Sequence, residues 1–267
     1  MKTVTQRPWL NNLTATPSST NNGTRITASG STNTKGSYST LTTATQDVFG
    51  FWLVINGTGT AATRTDMLLD IAIDSDIIMP DLLVGWRGTM TAGPYCVYLP
   101  FYIPDGSVIR ARCAAAIASD TVDVVIFLNQ GFSRANVMGP LFTKADAYGI
   151  TSASSQGTAH TPGNSGSEST AANIGSTLSR NYGAVMLGVG GSTGTTTMTS
   201  IAYHWELQIS STTICEWIHT SFTTEIVYGP YPSAPFYTSL PSGSQLQIRG
   251  EGSGTSIAHD VAFYCFY

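Results

Sequence analysis

The sequence predicts an all-β protein built from two tandem antiparallel β-sandwich, jelly-roll-like domains with extended polar arms. The first observation is a repeat, because PFYIPDGSVIRAR at 100–112 returns as PFYTSLPSGSQLQIR at 235–249. The second is composition, since 42% of the 267 residues are hydrophobic and only 10% are charged. Long amphipathic helices need charged residues on their solvent face, so this composition favours short strands with hydroxyl residues facing outward.

The two copies of the repeat match well beyond the shared tripeptide PFY at 100–102 and 235–237. Residues 137 apart match through the second half of each copy, and these pairs are Pro104 and Pro241, Gly106 and Gly243, Arg112 and Arg249, Asp123 and Asp260, and Phe127 and Tyr264. Upstream the spacing is 136 at Asp70 and Glu206 and 133 at Gly50 and Gly183. A spacing that changes by a few residues indicates loop insertions between fixed strands.

The repeat and the composition divide the chain into four parts. These are an N-terminal arm at 1–44, sandwich copy 1 at 45–143, a Gly/Ser/Thr-rich linker or arm at 144–178, and sandwich copy 2 at 179–267. The strands predicted for copy 1 are VFGFWLVI, MLLDIAI, YCVYLPFYI, SVIRARCAAA and TVDVVIFL, in chain order. Those predicted for copy 2 are GAVMLGV, AYHWELQI, TTEIVY, QLQIRGE and DVAFYCFY. All are short, rich in β-branched and aromatic residues, and bounded by Gly or Pro.

The repeated segment combines a turn with a strand that carries an arginine. Pro-Asp-Gly-Ser at 104–107 is typical of a turn, because proline fixes φ and glycine tolerates positive φ. In the strand that follows, a buried Arg112, like Arg249 in copy 2, would need a carboxylate or a cluster of carbonyls as its partner. Asp123 and Asp260 recur at the same spacing, so we predict structural ion pairs between neighbouring strands.

The two arms are rich in Thr, Ser, Asn and Gly and would be flexible in isolation. We expect a neighbouring subunit to order them, with Trp9, Leu10 and Tyr148 docking in clefts between subunits. This predicts a homo-oligomer, with a trimer favoured.

Candidate catalytic and metal sites are few. His204 and Glu206 share a strand face and could serve a metal or an acid–base pair, but the sequence signals no third ligand. GVGGSTG at 188–194 lacks the lysine and helix of a phosphate loop, so a hairpin loop is predicted. A group of acids could bind calcium, but their spacing favours solvated or capping carboxylates, and this group is Asp66, Asp70, Asp74 and Asp76. We expect no enzymatic activity, no cofactor and no metal.

Other classes of protein are disfavoured by the remaining features. The net charge is −4 and the basic residues are scattered, so no nucleic-acid partner is expected. The N-terminus does not have the pattern of a secretory peptide, and no membrane span is predicted. Four cysteines lie in apolar strands without C-x-x-C spacing, which favours free buried thiols over disulfides.

DMLLDIAID followed by IIMPDLLV, then PFYIPDGSVIRARCAA and DVVIFL, resembles the β-rich module of virion-associated proteins of tailed bacteriophages. The resemblance covers copy 1 well and copy 2 in part. It implies a sandwich or jelly-roll module within a phage particle, with other virion proteins as partners and no active-site residues.

Two functions in the virion then compete. The first is a capsid decoration or cement protein that contacts the major capsid protein on the head. The second is a tail or baseplate component, in which exposed aromatic side chains bind host glycans, the candidates being Trp86, Trp217, Tyr228 and Tyr231. The sequence has neither a repetitive shaft nor a helical stem, which favours the head. A free secreted lectin or enzyme is disfavoured, because the sequence shows neither a signal peptide nor a catalytic set.

Overall fold

The computed structural model describes residues 23–57, 64–87, 95–130, 139–192, 201–221, 231–254 and 258–267. Within these ranges all regular secondary structure is β-strand, which confirms the predicted fold class. No helix among the described residues has the length and apolar character that crossing a membrane would need.

Copy 1 consists of eight strands in two sheets. The strands are β1 (Thr24–Thr27), β2 (Ser39–Thr43), β3 (Val48–Gly57), β4 (Arg64–Ile73), β5 (Asp76–Arg87), β6 (Tyr95–Ile103), β7 (Val108–Ala115) and β8 (Thr121–Gln130). The first sheet has the order β1-β8-β3-β6 and the second sheet the order β2-β7-β4-β5. The chain crosses repeatedly between the two antiparallel sheets, which is the jelly-roll arrangement.

Copy 2 repeats this topology with broken edge strands. Its strands are β9 (Ala145–Tyr148), β10 (Thr158–His160), β11 (Ala172–Asn173), β12 (Tyr182–Ser192), β13 (Ile201–Ile209), β14 (Thr212–Ser221), β15 (Tyr231–Pro232), β16 (Phe236–Leu240), β17 (Leu246–Gly252) and β18 (His259–Phe266). In its first sheet β9 and β10 both pair with β18, and β15 and β16 both pair with β12. Its second sheet has the order β11-β17-β13-β14.

The turn that the repeat predicts has the same geometry in both copies. The amide of Ser107 donates to the Pro104 carbonyl at 3.3 Å, and the amide of Ser244 donates to the Pro241 carbonyl at the same distance. The glycines between them have φ of 81° and 79°. Only glycine adopts this region without a steric cost, so the sequence match reflects a shared backbone constraint.

The two copies are joined through the outer face of the first sheet of copy 2. Along β18, Val261, Phe263 and Cys265 pack in the core of copy 2, and the alternate residues pack in the core of copy 1. The ring centroids of Phe266 and Phe101 are 5.5 Å apart across this junction. Strand alternation therefore places one strand in two cores.

A buried hydroxyl and a glycine complete the junction. The Leu83 amide donates to the Tyr264 hydroxyl at 2.7 Å, and this hydroxyl donates to the Asp81 carbonyl at 2.9 Å. Gly188 leaves room for Leu83, since a Cβ there would lie 2.8 Å from Leu83 Cδ1. The Leu83 amide and the Asp81 carbonyl of β5 thus have the Tyr264 hydroxyl of copy 2 as their hydrogen-bond partner.

The predicted boundary of the N-terminal arm is wrong for its described part. Residues 23–44 supply two edge strands to copy 1, with β1 pairing with β8 and β2 with β7. Ile26 is fully buried and Leu41 is 3% exposed in the core of copy 1. Sparse apolar residues suffice here, because an edge strand gains its hydrogen bonds from the existing sheet. The predicted anchors Trp9 and Leu10 lie outside the described residues.

The linker at 144–178 is likewise part of its own domain. It supplies β9, β10 and β11 to copy 2. Tyr148, predicted to dock on a neighbouring subunit, is instead buried in copy 2, where its hydroxyl and that of Tyr182 are 2.7 Å apart. The prediction was wrong because composition does not show that the linker can extend sheets already formed by copy 2.

The four cysteines are free. Burial raises the pKa of the Cys113 and Cys215 thiols to about 12. These thiols therefore stay protonated at neutral pH and contribute by packing.

We predict that Tyr264→Phe lowers the free energy of unfolding by about 1 to 3 kcal/mol, because it leaves the buried Leu83 amide and the half-buried Asp81 carbonyl without their partner. Urea denaturation monitored by tryptophan fluorescence measures this change. Tyr102→Phe, at a tyrosine that is 37% exposed, is the matched control and should change stability little. Equal stability of the two variants would contradict the bridging role.

Candidate functional site

A network of four charged side chains lies on the outer face of the second sheet of copy 1. Asp70 is 3% exposed. Its Oδ1 accepts from Lys35 Nζ at 2.6 Å and its Oδ2 from Arg112 Nε at 2.9 Å. Lys35 Nζ also lies 2.7 Å from Asp81 Oδ1. The lysine ammonium therefore bridges two carboxylates, and the network is electrically neutral.

Strand register builds this network. Asp70 on β4 lies directly opposite Arg112 on β7, and residues opposite one another in an antiparallel pair project from the same face. Lys35 comes from the segment that leads into β2. Arg112 also lies over the ring of Tyr38, with Cζ 4.6 Å from the ring centroid.

The prediction that Arg112 pairs with Asp123 was therefore wrong. Asp123 instead accepts two hydrogen bonds from Arg25, at 3.0 and 3.2 Å. Although β7 and β8 follow one another in sequence, they belong to different sheets, so Arg112 and Asp123 lie on opposite outer faces of the sandwich. Arg112 is nevertheless in an ion pair between neighbouring strands, as the sequence predicted.

Copy 2 contains the corresponding arginine pair. Arg249 on β17 lies opposite Glu206 on β13, and its Nε and Nη2 lie 2.8 and 2.7 Å from Glu206 Oε2. The predicted pairing of Arg249 with Asp260 was wrong for the same reason, because Asp260 is on β18 in the other sheet and lies opposite Ala159.

Glu206 is the centre of a polar cluster on this face. Its Oε2 also accepts from the Thr213 hydroxyl at 2.7 Å and from Gln208 Nε2 at 3.4 Å. Glu168 Oε2 lies 2.8 Å from Arg249 Nη1. The guanidinium thus bridges two glutamates.

His204 completes a set of metal-ligating side chains. One ligand atom each of Glu168, His204 and Glu206 lies within 4.8 Å of the others, and His204 Nε2 lies 3.2 Å from Glu216 Oε2. Sequence reasoning found His204 and Glu206 but missed Glu168, which lies in the Gly/Ser/Thr-rich linker. The signal was available, since Glu168 follows Lys35 by 133 residues, the spacing that also relates Gly50 and Gly183.

The pKa values of the two neighbouring glutamates are displaced in opposite directions. Burial acts to raise the pKa of Glu206, but hydrogen bonds from Thr213, Glu168 and Arg249 outweigh it and lower the pKa to about 2. The hydrogen bond with Glu206, assisted by burial, raises the pKa of Glu168. Two adjacent carboxyl groups repel when both are ionised, so one tends to hold a proton or a cation.

The other acidic candidates do not converge. Asp70 belongs to the network described above. Asp74 Oδ1 accepts from the Val108 amide at 3.0 Å, and Asp76 Oδ1 accepts from Lys144 Nζ at 2.6 Å. These carboxylates have separate partners and therefore serve local structural contacts. The predicted hairpin loop at 188–194 is also corrected, because 188–192 belongs to β12.

Three histidines lie between the two sheets of copy 2, with His160 and His259 buried and His219 half-buried. His259 packs against Tyr203, with ring centroids 4.7 Å apart, and its ring lies 6.3 Å from that of His219. His160 packs 5.9 Å from Trp205. Burial lowers the pKa of His160 and lowers that of His219 to about 4.

An aromatic groove of about 330 Å³ lies where the first sheet of copy 1 meets copy 2. The rings of Trp52 and Tyr98, 5.1 Å apart, form one wall. Pro232, Pro235 and Tyr237 of copy 2 line the other. Trp52 is 38% exposed whereas Tyr98 is buried beneath it, so the open aromatic surface of the groove is the ring of Trp52.

Of the aromatic residues proposed from sequence, the described Trp217 does not line this groove. Trp217 is half-buried and packs on Phe263, with ring centroids 6.2 Å apart. Tyr228 and the side chains of Trp86 and Tyr231 lie outside the described part of the structure. Sequence missed Trp52 and Tyr98 because their strands are apolar on both faces.

No protein-family model and no curated protein sequence matches this chain. Among solved structures it is similar to PNGF-II in two crystal forms, with 8% and 9% identity and TM-scores of 0.39 and 0.41. These matches cover 86% and 98% of this chain but 59% and 64% of the PNGF-II chains, so the chain spans about three fifths of their length.

A third similar structure is the tandem CBM22-1–CBM22-2 domain of Paenibacillus barcinonensis Xyn10C. It has 10% identity and a TM-score of 0.26, and the match covers 89% of this chain and 85% of that one. At such identities and TM-scores these likenesses carry no argument about function.

We predict that Arg249→Ala is more destabilising than Arg112→Ala. Removal of Arg249 leaves Glu206 beside Glu168 without the guanidinium that bridges them and should cost the metal-free protein about 2 to 4 kcal/mol, whereas Asp70 keeps Lys35 and should lose about 1 kcal/mol. Chemical denaturation of both variants at neutral pH measures the difference. The opposite order would show that Lys35 does not compensate.

We also predict that acid destabilises copy 2 through His219. Its folded pKa of about 4 lies below the ordinary 6.5. The stability contributed by the neutral ring is therefore complete above about pH 6.5 and is lost as pH falls toward 4, by about 3 kcal/mol at most. Unfolding free energies at pH 7, 5.5 and 4.5 measure this loss.

The matched variants are His219→Phe and His204→Gln. His219→Phe should reduce the pH dependence because it removes one titrating ring and leaves the contribution of His160, while His204→Gln on the outer face should retain the full dependence. If His219→Phe has the same pH dependence as the unmodified protein, another group causes the loss.

Proposed function

We propose that this protein is a non-catalytic structural component of a bacteriophage particle, located on the head as a decoration or cement protein. The observation that carries the proposal is what the two copies share. Both keep the jelly-roll topology, the same glycine turn and the same cross-strand acid–arginine pair. These shared features are architectural, and they agree with the sequence resemblance to virion modules.

The charged groups of copy 1 support a structural role. Lys35, Asp70, Asp81 and Arg112 neutralise one another in a closed network. A general acid or base must be able to exchange protons with a substrate, whereas these groups are committed to one another. The charges of the cluster around Glu206 do not balance in this way, but among the described residues this cluster occurs in copy 2 alone.

The junction between the copies also supports this role. Phe266, Tyr264 and Ala262 belong to the same buried cluster as the core of copy 1. A continuous core holds two jelly rolls as one building block, and such a block can cover a large area of a shell. The proposed partners are the major capsid protein and further copies of this chain, with a trimer favoured.

A second candidate function is a tail or baseplate component that binds host glycans. The specific observation that favours it is the groove lined by Trp52 and Tyr98. Sugar rings stack on exposed aromatic rings while backbone and hydroxyl groups orient them. This proposal replaces the aromatic residues nominated from sequence.

Gold-labelled antibody against this protein, applied to purified phage particles, tests the location. We expect label over the head. Label confined to the tail would overturn the decoration proposal and favour the second candidate, and particles without the protein would overturn both.

A chain lacking residues 1–22 should fold normally, since it keeps every described strand, and should fail to join the particle if Trp9 and Leu10 anchor it. Normal incorporation would contradict that role.

A further inference from the structure

The charged networks of the two copies occupy equivalent positions but differ in net charge. In copy 1 the Lys35 ammonium lies between Asp70 and Asp81, 2.6 and 2.7 Å from their oxygens. Strand register gives the corresponding carboxylates of copy 2 as Glu206 and Glu216, since Leu69 pairs with Leu82 as Trp205 pairs with Trp217.

Backbone hydrogen bonds establish which residue replaces Lys35. The amide after Lys35 donates to the Cys113 carbonyl at 2.9 Å, and the amide after Glu168 donates to the Gly250 carbonyl at the same distance. Cys113 and Gly250 directly follow Arg112 and Arg249. Glu168 therefore occupies the position of Lys35.

A second replacement lies on the central strand. Asp70 and Glu206 each lie opposite their arginine, and the residues two positions earlier are Leu68 and His204. Alternation along a strand places these side chains on the same face as the central carboxylate. Copy 2 thus has an imidazole where copy 1 has an apolar side chain.

Together the two replacements change the balance between carboxylates and cations on this face. Copy 1 balances two carboxylates with Lys35 and Arg112. Copy 2 has three carboxylates, from Glu168, Glu206 and Glu216, and a single arginine. The cation that bridges the carboxylates of copy 1 is replaced by groups that bind cations.

We propose that copy 2 binds a divalent transition-metal ion, Zn²⁺ or Mn²⁺, where copy 1 places the Lys35 ammonium. The ligands are Glu168, His204 and Glu206, and Glu216 lies beside His204. The donor atoms of the first three are within 4.8 Å of one another. Ligands at about 2.1 Å from one metal ion are about 3 to 4 Å apart, so small side-chain rotations suffice. This inference does not depend on the proposed virion function.

Arg249 is compatible with the metal ion. In copy 1 the two cations use different oxygens of Asp70, with Lys35 on Oδ1 and Arg112 on Oδ2. In copy 2 Arg249, Thr213 and Gln208 all donate to Oε2 of Glu206. This arrangement assigns the other oxygen, Oε1, to the metal ion.

The ligand set indicates which metal ions this site prefers. An imidazole nitrogen with carboxylate oxygens suits Zn²⁺ or Mn²⁺, whereas Ca²⁺ and Mg²⁺ prefer oxygen alone. The ion would attach the segment carrying Glu168 to the second sheet of copy 2, as Lys35 attaches its own segment in copy 1.

The test is isothermal titration of the full-length protein, first freed of metal with a chelator, with Zn²⁺, Mn²⁺, Ca²⁺ and Mg²⁺ in separate experiments. We expect one Zn²⁺ or Mn²⁺ per chain and a rise in Tm on binding. His204→Gln should weaken binding at least about tenfold. Asp76→Asn removes an exposed carboxylate elsewhere and should leave binding unchanged.

Glu168→Lys is the decisive variant, because it restores the charge pattern of copy 1. We expect it to abolish metal binding and to raise the Tm of the metal-free protein above that of the unmodified chain. Absence of binding by the unmodified protein would overturn the proposal. So would a Zn²⁺ or Mn²⁺ affinity that is unchanged in both His204→Gln and Glu168→Lys, since the ion would then be held elsewhere. Circular dichroism checks that each variant is folded.

Discussion

Both hydrophobic cores depend on β18, in which all eight residues are buried. One face of this strand fills copy 2 and the other fills copy 1, so neither core is complete without it. At two positions of the covered face, copy 2 has smaller residues than copy 1. By strand register, Gly188 and Ala262 correspond to Val54 and Val125. Small side chains let the second layer approach, and the Tyr264 hydroxyl satisfies the backbone groups that this contact buries.

The two copies differ in their ionisable groups at two equivalent places, one in the core and one on the outer face. Register places Tyr203, His219 and His259 of copy 2 at the positions of Met67, Val84 and Val122 in copy 1. Copy 1 therefore has apolar side chains at these core positions, whereas copy 2 has imidazole rings there. The outer face differs in the same sense, since a neutral network in copy 1 is an acidic cluster with a histidine in copy 2. Copy 2 is thus the half whose stability should respond to pH and to cations, and copy 1 supplies an internal reference for both effects.

The arms show how an edge strand can be stable with little apolar surface. Segments rich in Ser, Thr and Asn pair with β7, β8, β17 and β18, whose backbone groups are already aligned. Ordering such a chain costs about 1 to 2 kcal/mol per residue, and ladder hydrogen bonds with a few buried side chains such as Ile26 offset that cost. Copy 1 and copy 2 use this device at equivalent positions, so the duplicated unit begins well before the boundary that hydrophobicity suggests.

The sequence by itself determined the all-β class, the duplication, the glycine turn and the placement of Arg112 and Arg249 in ion pairs. These features depend on local periodicity, on φ at single residues and on spacing, all of which are written in the chain. The tertiary structure decided which carboxylate each arginine meets, because jelly-roll connections send consecutive strands to opposite sheets. It also decided that Tyr148 is internal, that Glu168 lies beside Glu206 and His204, and that Trp52 and Tyr98 form a groove. Each of these is a contact between residues distant in sequence, and its geometry depends on how whole sheets pack.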